Sequence, residues 1–152
     1  MVLTTLKNTN LETIIHFASE AAEAGTITIA NLTAATQARN SDDPVVDIVK
    51  WSVSGELGSS VTIVRNSKLV IAGAPENAPY LEVNSWGIPL NIENDSDIVI
   101  NNNVDNKKVT GVLVLRKQAG WSTKVENATY GAYDDVSRVG ASTTLDGSPD
   151  KA

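Results

Sequence analysis

Residues 45–72 read V-V-D-I-V-K-W-S-V-S-G-E-L-G-S-S-V-T-I-V-R-N-S-K-L-V-I-A, three runs rich in β-branched residues broken by Gly-Ser and Asn-Ser. β-Branched side chains lose rotamer freedom against the preceding turn of a helix and pack well on a pleated surface. Short runs of this kind, bounded by turn residues, specify antiparallel strands. Strict alternation through the first run places Val45, Val49, Trp51 and Val53 on one face, with Asp47 among them. The second run sets Val61 and Ile63 against Thr62 and Val64. A chain organised around this stretch must bury one face of a sheet against another layer.

The remaining runs extend the pattern. V-T-G-V-L-V-L-R at 109–116 is the most apolar and reads as a central strand buried on both faces or nearly so. Strands are expected at 26–32, 80–83, 88–92 and 98–100, with Pro89 confining its run to an edge or a bulge because proline donates nothing to a ladder. The polar segment 33–44 reads as a connection, and Asp43-Pro44 prepares an extended approach to the central strand. Residues 11–24 allow two readings. Leu11, Ile14, Ile15, Ala18 and Ala22 are spaced like one helical face, whereas T-I-I-H-F followed by Thr26–Ile29 resembles two strands joined by a small-residue loop. The strand reading is preferred for 13–18. About nine short strands spaced by turn signals argue for an antiparallel all-β sandwich of jelly-roll type. Val49, Trp51, Ile63, Ile71, Leu113 and Leu115 are its expected core.

Beyond Trp121 the alternation stops. Residues 122–152 contain Val125, Tyr130, Tyr133, Val136 and Val139 among small and charged residues. So few apolar side chains cannot offset a backbone ordering cost of about 1–2 kcal/mol per residue. The expected organisation is therefore a sandwich domain over 1–121 and an extended C-terminal arm over 122–152 that docks on another chain.

At 152 residues the chain can bury a core without covalent staples, and it has no cysteine with which to make them. Eighteen acidic against twelve basic residues give a net charge of −6, which repels a phosphate backbone. The basic residues are scattered, so no nucleic-acid partner is expected. The N-terminal M-V-L-T-T-L-K-N-T-N lacks the apolar core of a signal peptide, and no apolar run approaches membrane-spanning length. The expectation is a protein made in the cytoplasm with no membrane partner. The Asn-x-Ser/Thr triplets at Asn31, Asn94 and Asn127 then read as chance.

Chemistry is sparse. His16 is the only histidine, and no G-x-S-x-G elbow or phosphate-cradling glycine loop occurs. Asp42–Asp43, Asp134–Asp135 and the Asn-rich stretch with Asp105 lack the spacing of a calcium loop and read as solvated turns. No catalytic residue, metal site or cofactor is expected. Trp51 alternates with valines and belongs to the core. Trp86 and Trp121 sit beside glycines in turns and, with Tyr130 and Tyr133, are the candidates for a partner surface, since exposed aromatics at loops are enriched at interfaces. Sugar stacking is the alternative use of such rings.

The stretches V-D-I-V-K-W-S-V-S-G, V-T-I-V-R-N and V-L-V-L-R-K-Q-A-G-W resemble a class of small all-β virion structural proteins of tailed marine and cyanobacterial phages. Lys50, Trp51 and Ser52 fall on one pattern of that class; Leu113, Leu115, Arg116, Lys117, Gly120 and Trp121 fall on another. The resemblance spans 45–121, and the Ala- and Glu-rich segment 18–25 departs from it. It implies a bacteriophage structural protein located in the virion, a capsid decoration or cement protein or else a neck, tail or baseplate component. Its partners would be copies of itself and other virion proteins.

Overall fold

Alternation becomes two large antiparallel sheets in the computed structural model, which describes residues 1–35, 37–39, 44–74, 81–83, 90–127 and 132–135. Five strands form the first sheet: β1 (Val2–Asn8), β2 (Glu12–Ser19), β5 (Val46–Gly55), β8 (Leu81–Val83) and β10 (Val109–Lys117), in the order β1-β2-β10-β5-β8. Four form the second: β3 (Glu23–Ile27), β6 (Val61–Arg65), β7 (Lys68–Gly73) and β9 (Ile98–Asn102), in the order β3-β9-β6-β7. A third, small sheet joins β4 (Gln37–Arg39), β11 (Trp121–Asn127) and β12 (Ala132–Asp135), with β11 in the middle.

The pairings are nested in sequence: β2 with β10, β3 with β9, β5 with β8, and β6 with β7. The innermost pair is a two-residue hairpin whose Asn66 and Ser67 have φ of 45° and 62°, the doubly left-handed turn that matches strand twist. Successive outer pairs alternate between the two large sheets. One apolar cluster takes Ile15, Phe17, Trp51, Val53, Leu113 and Leu115 from the five-stranded sheet. Ile27, Val61, Ile63, Ile71, Ile98 and Ile100 come from the four-stranded one. Phe17 and Trp51 meet at the centre with ring centroids 5.9 Å apart and planes tilted by 36°.

The expected strand at 13–18 is β2, and the helical reading of 11–24 falls away. β2 and β3 do not form a hairpin, however. They pair with β10 and β9, so the segment between them carries the chain from one sheet to the other. The strand expected over 26–32 ends at Ile27. Ile29–Leu32 is a 3₁₀ turn that buries Ile29 and Leu32, its first free N–H donating to Asp97 Oδ1 at 2.9 Å. β10 is central, but it is buried on one face only, its pattern alternating from Val109 to Lys117. Its apolar outer residues had suggested burial on both faces.

Five of the six expected core residues are buried, and Val49 is not. The ladder between β10 and β5 shifts between Val114, opposite Lys50, and Leu115, opposite Ile48. Val49 is the extra residue of a β-bulge, so Ile48 and Trp51 both face inward although they stand three apart. Reading period 2 straight through 45–53 placed Val49 inside for want of that one-residue phase change. Of the 88–92 run, Leu90 bridges Ile48, while Asn91 and Ile92 are exposed outside any strand.

β1 and β4 arise from segments expected to be terminus and loop. The segment expected to leave as an arm from residue 122 begins within β11, whose Trp121, Ser122 and Thr123 pair with β4. No helix is long and apolar enough to cross a membrane among the described residues.

Candidate functional site

Of the four aromatic residues expected on a partner surface, Trp86 and Tyr130 lie outside the described residues. Tyr133 is placed within β12, opposite Glu126 of β11. Trp121 stands at the root of the small sheet. Its position is built from the motif R-K-Q-A-G-W that closes β10. Arg116 points outward; Lys117 continues the inward phase of Leu113 and Leu115. The turn that follows is fastened to the start of β5 by Val45 N–H donating to Ala119 O at 2.8 Å and Gln118 N–H donating to Val45 O at 2.9 Å. Gly120 at φ 85° takes the left-handed conformation that reverses the chain. Trp121 then begins β11 half-buried, its Nε1–H donating to the same Val45 O at 3.0 Å. The ring is therefore held by its own chain, with one face against the core cluster.

Lys117 is the unexpected member. Only 6% exposed, its amine lies 4.9 Å from the Trp121 ring centroid and donates to three oxygens. These are Asn8 Oδ1 at 2.8 Å, Thr9 O at 2.8 Å and Gln37 Oε1 at 2.6 Å. Gln37, buried in β4, turns its amide to Asn10 O at 2.8 Å, and Thr13 Oγ1–H donates to Asn8 Oδ1 at 2.9 Å. The cluster thus ties β1, β2, β4, β10 and β11 together through neutral acceptors. Burial pushes the Lys117 amine down to about 8.

That shift has a sign. A folded-state value below the ordinary lysine value means that the folded chain releases the proton first. The penalty for burying the charge is fully present below pH about 8 and fades as pH rises from there toward the ordinary lysine value of 10.5. In urea melts between pH 7 and 9.5, the native protein should gain stability with pH relative to a Lys117→Met chain. Parallel curves would contradict this.

A second buried cation comes from the four-stranded sheet. Arg65, fully buried, continues the inward phase of Val61 and Ile63. Its guanidinium donates to Ser96 O at 2.9 and 2.6 Å, Val46 O at 2.7 Å and Asn94 O at 2.8 Å. Burial lowers it to about 10, opposed chiefly by Asp47 and then by Asp95, Asp97 and Glu93. Asp47, also buried, accepts from Asn94 Nδ2 at 2.8 Å and Gln118 Nε2 at 3.1 Å. Arg65 is a structural clamp on the 93–97 turn, whose Glu93 is also paired with Lys68. Both cations were readable from alternation, because each sits in phase with buried apolar residues two and four positions away.

His16 points outward from β2, registered on Val112, which is registered on Ser52 on its far side. The two groups are thus separated by a whole strand, too far for a His–Ser hydrogen bond. Among the described residues, no three His, Asp or Glu side chains are grouped to hold a metal ion. A cleft of about 510 Å³ lies beside Met1, Ser19, Glu23 and Val109, where the Met1 amine is paired with Glu23. The chain matches no known protein family and no curated protein sequence.

Proposed function

We propose that this chain is a bacteriophage virion structural protein, a decoration or cement subunit of the head shell, and that its sandwich is a jelly roll. The nested ladder carries the reading. The two large sheets contain the orders β2-β10-β5-β8 and β3-β9-β6-β7, the winding obtained when one long hairpin is folded across two layers. Jelly rolls serve as viral capsid and lectin domains. The phage-like patterns fall on residues with distinct duties in this frame: Trp51 in the core, Lys117 in the buried cluster, Gly120 and Trp121 at the turn into the small sheet. The C-terminal arm, residues 122–152, is assigned to contact with neighbouring virion proteins, with Tyr130 and Tyr133 as anchors.

Work of this kind is adhesion, in which many weak contacts add by mass action over a shell. Quantitative mass spectrometry of purified particles tests it. A head-shell protein should be present at a copy number comparable to that of the major shell subunit. A count of about six or twelve, as in cyclic rings, would instead place it in the neck or tail. Absence from particles, together with glycan-dependent quenching of tryptophan fluorescence, would replace the reading with carbohydrate binding.

A further inference from the structure

The two large sheets have different outer faces. On the four-stranded sheet the outward polar groups engage one another: Asn101 Nδ2 donates to Thr62 Oγ1 at 3.4 Å, and Asn103 Nδ2 reaches the same oxygen at 3.3 Å. On the five-stranded sheet the two central strands present Ile14, His16 and Ala18 from β2 beside Val112 and Val114 from β10. Val2 and Leu6 of the flanking β1 are 66% and 59% exposed. Charges flank this strip at Lys7, opposite Ile14, and at Lys50, opposite Val114, and stand at its two ends. Glu12 and Arg116 are at one end; Glu20 and Lys108 are at the other.

We infer that this face packs against the same face of a second copy, about a two-fold axis parallel to the strands and running between β2 and β10. The register settles the choice of axis. Glu12 is opposite Arg116, Ile14 opposite Val114, His16 opposite Val112, and Ser19 opposite Val109, with Glu20 and Lys108 next in line. Rotation about that axis lays β2 over the second copy's β10 without changing level along the strand. Each registered pair is therefore repeated across the interface. Glu12 meets Arg116 of the second copy and Glu20 meets its Lys108, both contacts occurring twice, while Ile14 meets Val114 between them. An axis perpendicular to the strands would instead set Glu12 over Glu20 and Arg116 over Lys108. The chosen axis also brings Lys7 toward Lys50 of the second copy, a contact softened because Lys7 is held by Glu12 of its own chain at 3.0 Å.

The size of the face fits such a contact. Four strands at sheet spacing over eight residues cover about 500 Å². Two copies would bury about 1,000 Å², the lower bound for a specific interface. The pairing is independent of the virion assignment and would hold for an isolated protein.

Sedimentation equilibrium of the full chain across a range of concentrations tests it. The apparent mass should rise from 16.1 kDa toward twice that value, and salt should weaken the association. Val114→Lys and Arg116→Glu, both on the outer face, should each weaken association about tenfold or more while leaving the melting temperature near that of the native chain. Lys108→Glu should weaken association likewise, and combining it with Glu20→Lys should restore it, since this exchange leaves the Lys7–Glu12 pair intact. A chain that stays monomeric throughout, or self-association unchanged by Val114→Lys, would overturn the inference. Failure of the exchanged pair to restore association would overturn the orientation.

Discussion

Replacing Trp51 with alanine is expected to cost about 3–5 kcal/mol, measured by urea denaturation. Its ring is fully buried at the meeting point of the two large sheets, against Phe17 and opposite Leu113 on β10. Removing it opens a cavity lined by both layers, which backbone ladders on either side prevent from collapsing. A companion variant separates packing from polarity. The indole Nε1 has no hydrogen-bond partner. An unmet buried donor costs about 1–3 kcal/mol, so Trp51→Phe, which deletes the N–H with part of the ring, should lose much less than the alanine variant. A loss below about 1 kcal/mol for Trp51→Ala would show that the ring does not fill the core.

Gly111→Ala should be nearly as damaging for the opposite reason. A Cβ at this position would lie 2.3 Å from Phe17 Cζ and 2.4 Å from the backbone oxygen of Ser52. The phenyl ring is fully buried against Trp51, and the carbonyl belongs to the neighbouring strand of the same sheet. Overpacking of this kind costs about 1–3 kcal/mol, and the backbone contact places Gly111→Ala at the upper end. The double variant Gly111→Ala with Phe17→Leu should recover part of the loss relative to the sum of the two singles, because the same atoms are in conflict. Strict additivity in chemical denaturation would refute the proposed clash.

The class of fold was legible because it rests on phase. Runs such as 61–65 and 109–117 bury every second residue, and a sequence displays that period directly. What escaped depended on partners far away in the chain. The bulge at Val49 is a relation between β5 and β10, and no local signal in V-D-I-V-K-W marks it. β1 has mostly exposed residues and exists because β2 offers it an edge; β4 is three residues long and exists because β11 lies beside it. The buried cations were visible in phase but contrary to the ordinary preference of Lys and Arg for solvent. Trp121 lies beside the Gly120 turn as its sequence context implied, and its indole N–H is spent on Val45 within the chain.

The nested ladder also dictates when the molecule can form. Of the four nested pairs only β6–β7 joins neighbours in sequence; β2 must wait for β10, with Val109 registered on Ser19 across most of the domain. Each enclosing pair closes a longer loop, whose entropy is lost before its contacts are gained. Such non-local topologies fold slowly compared with helical chains of similar size. A ribosome must therefore deliver residues as far as β10 before the five-stranded sheet has its central strand. Until then β2 and β5 expose the apolar faces that later meet across the core. For this chain the interval between synthesis and closure, rather than the finished sandwich, is the period of greatest exposure to aggregation.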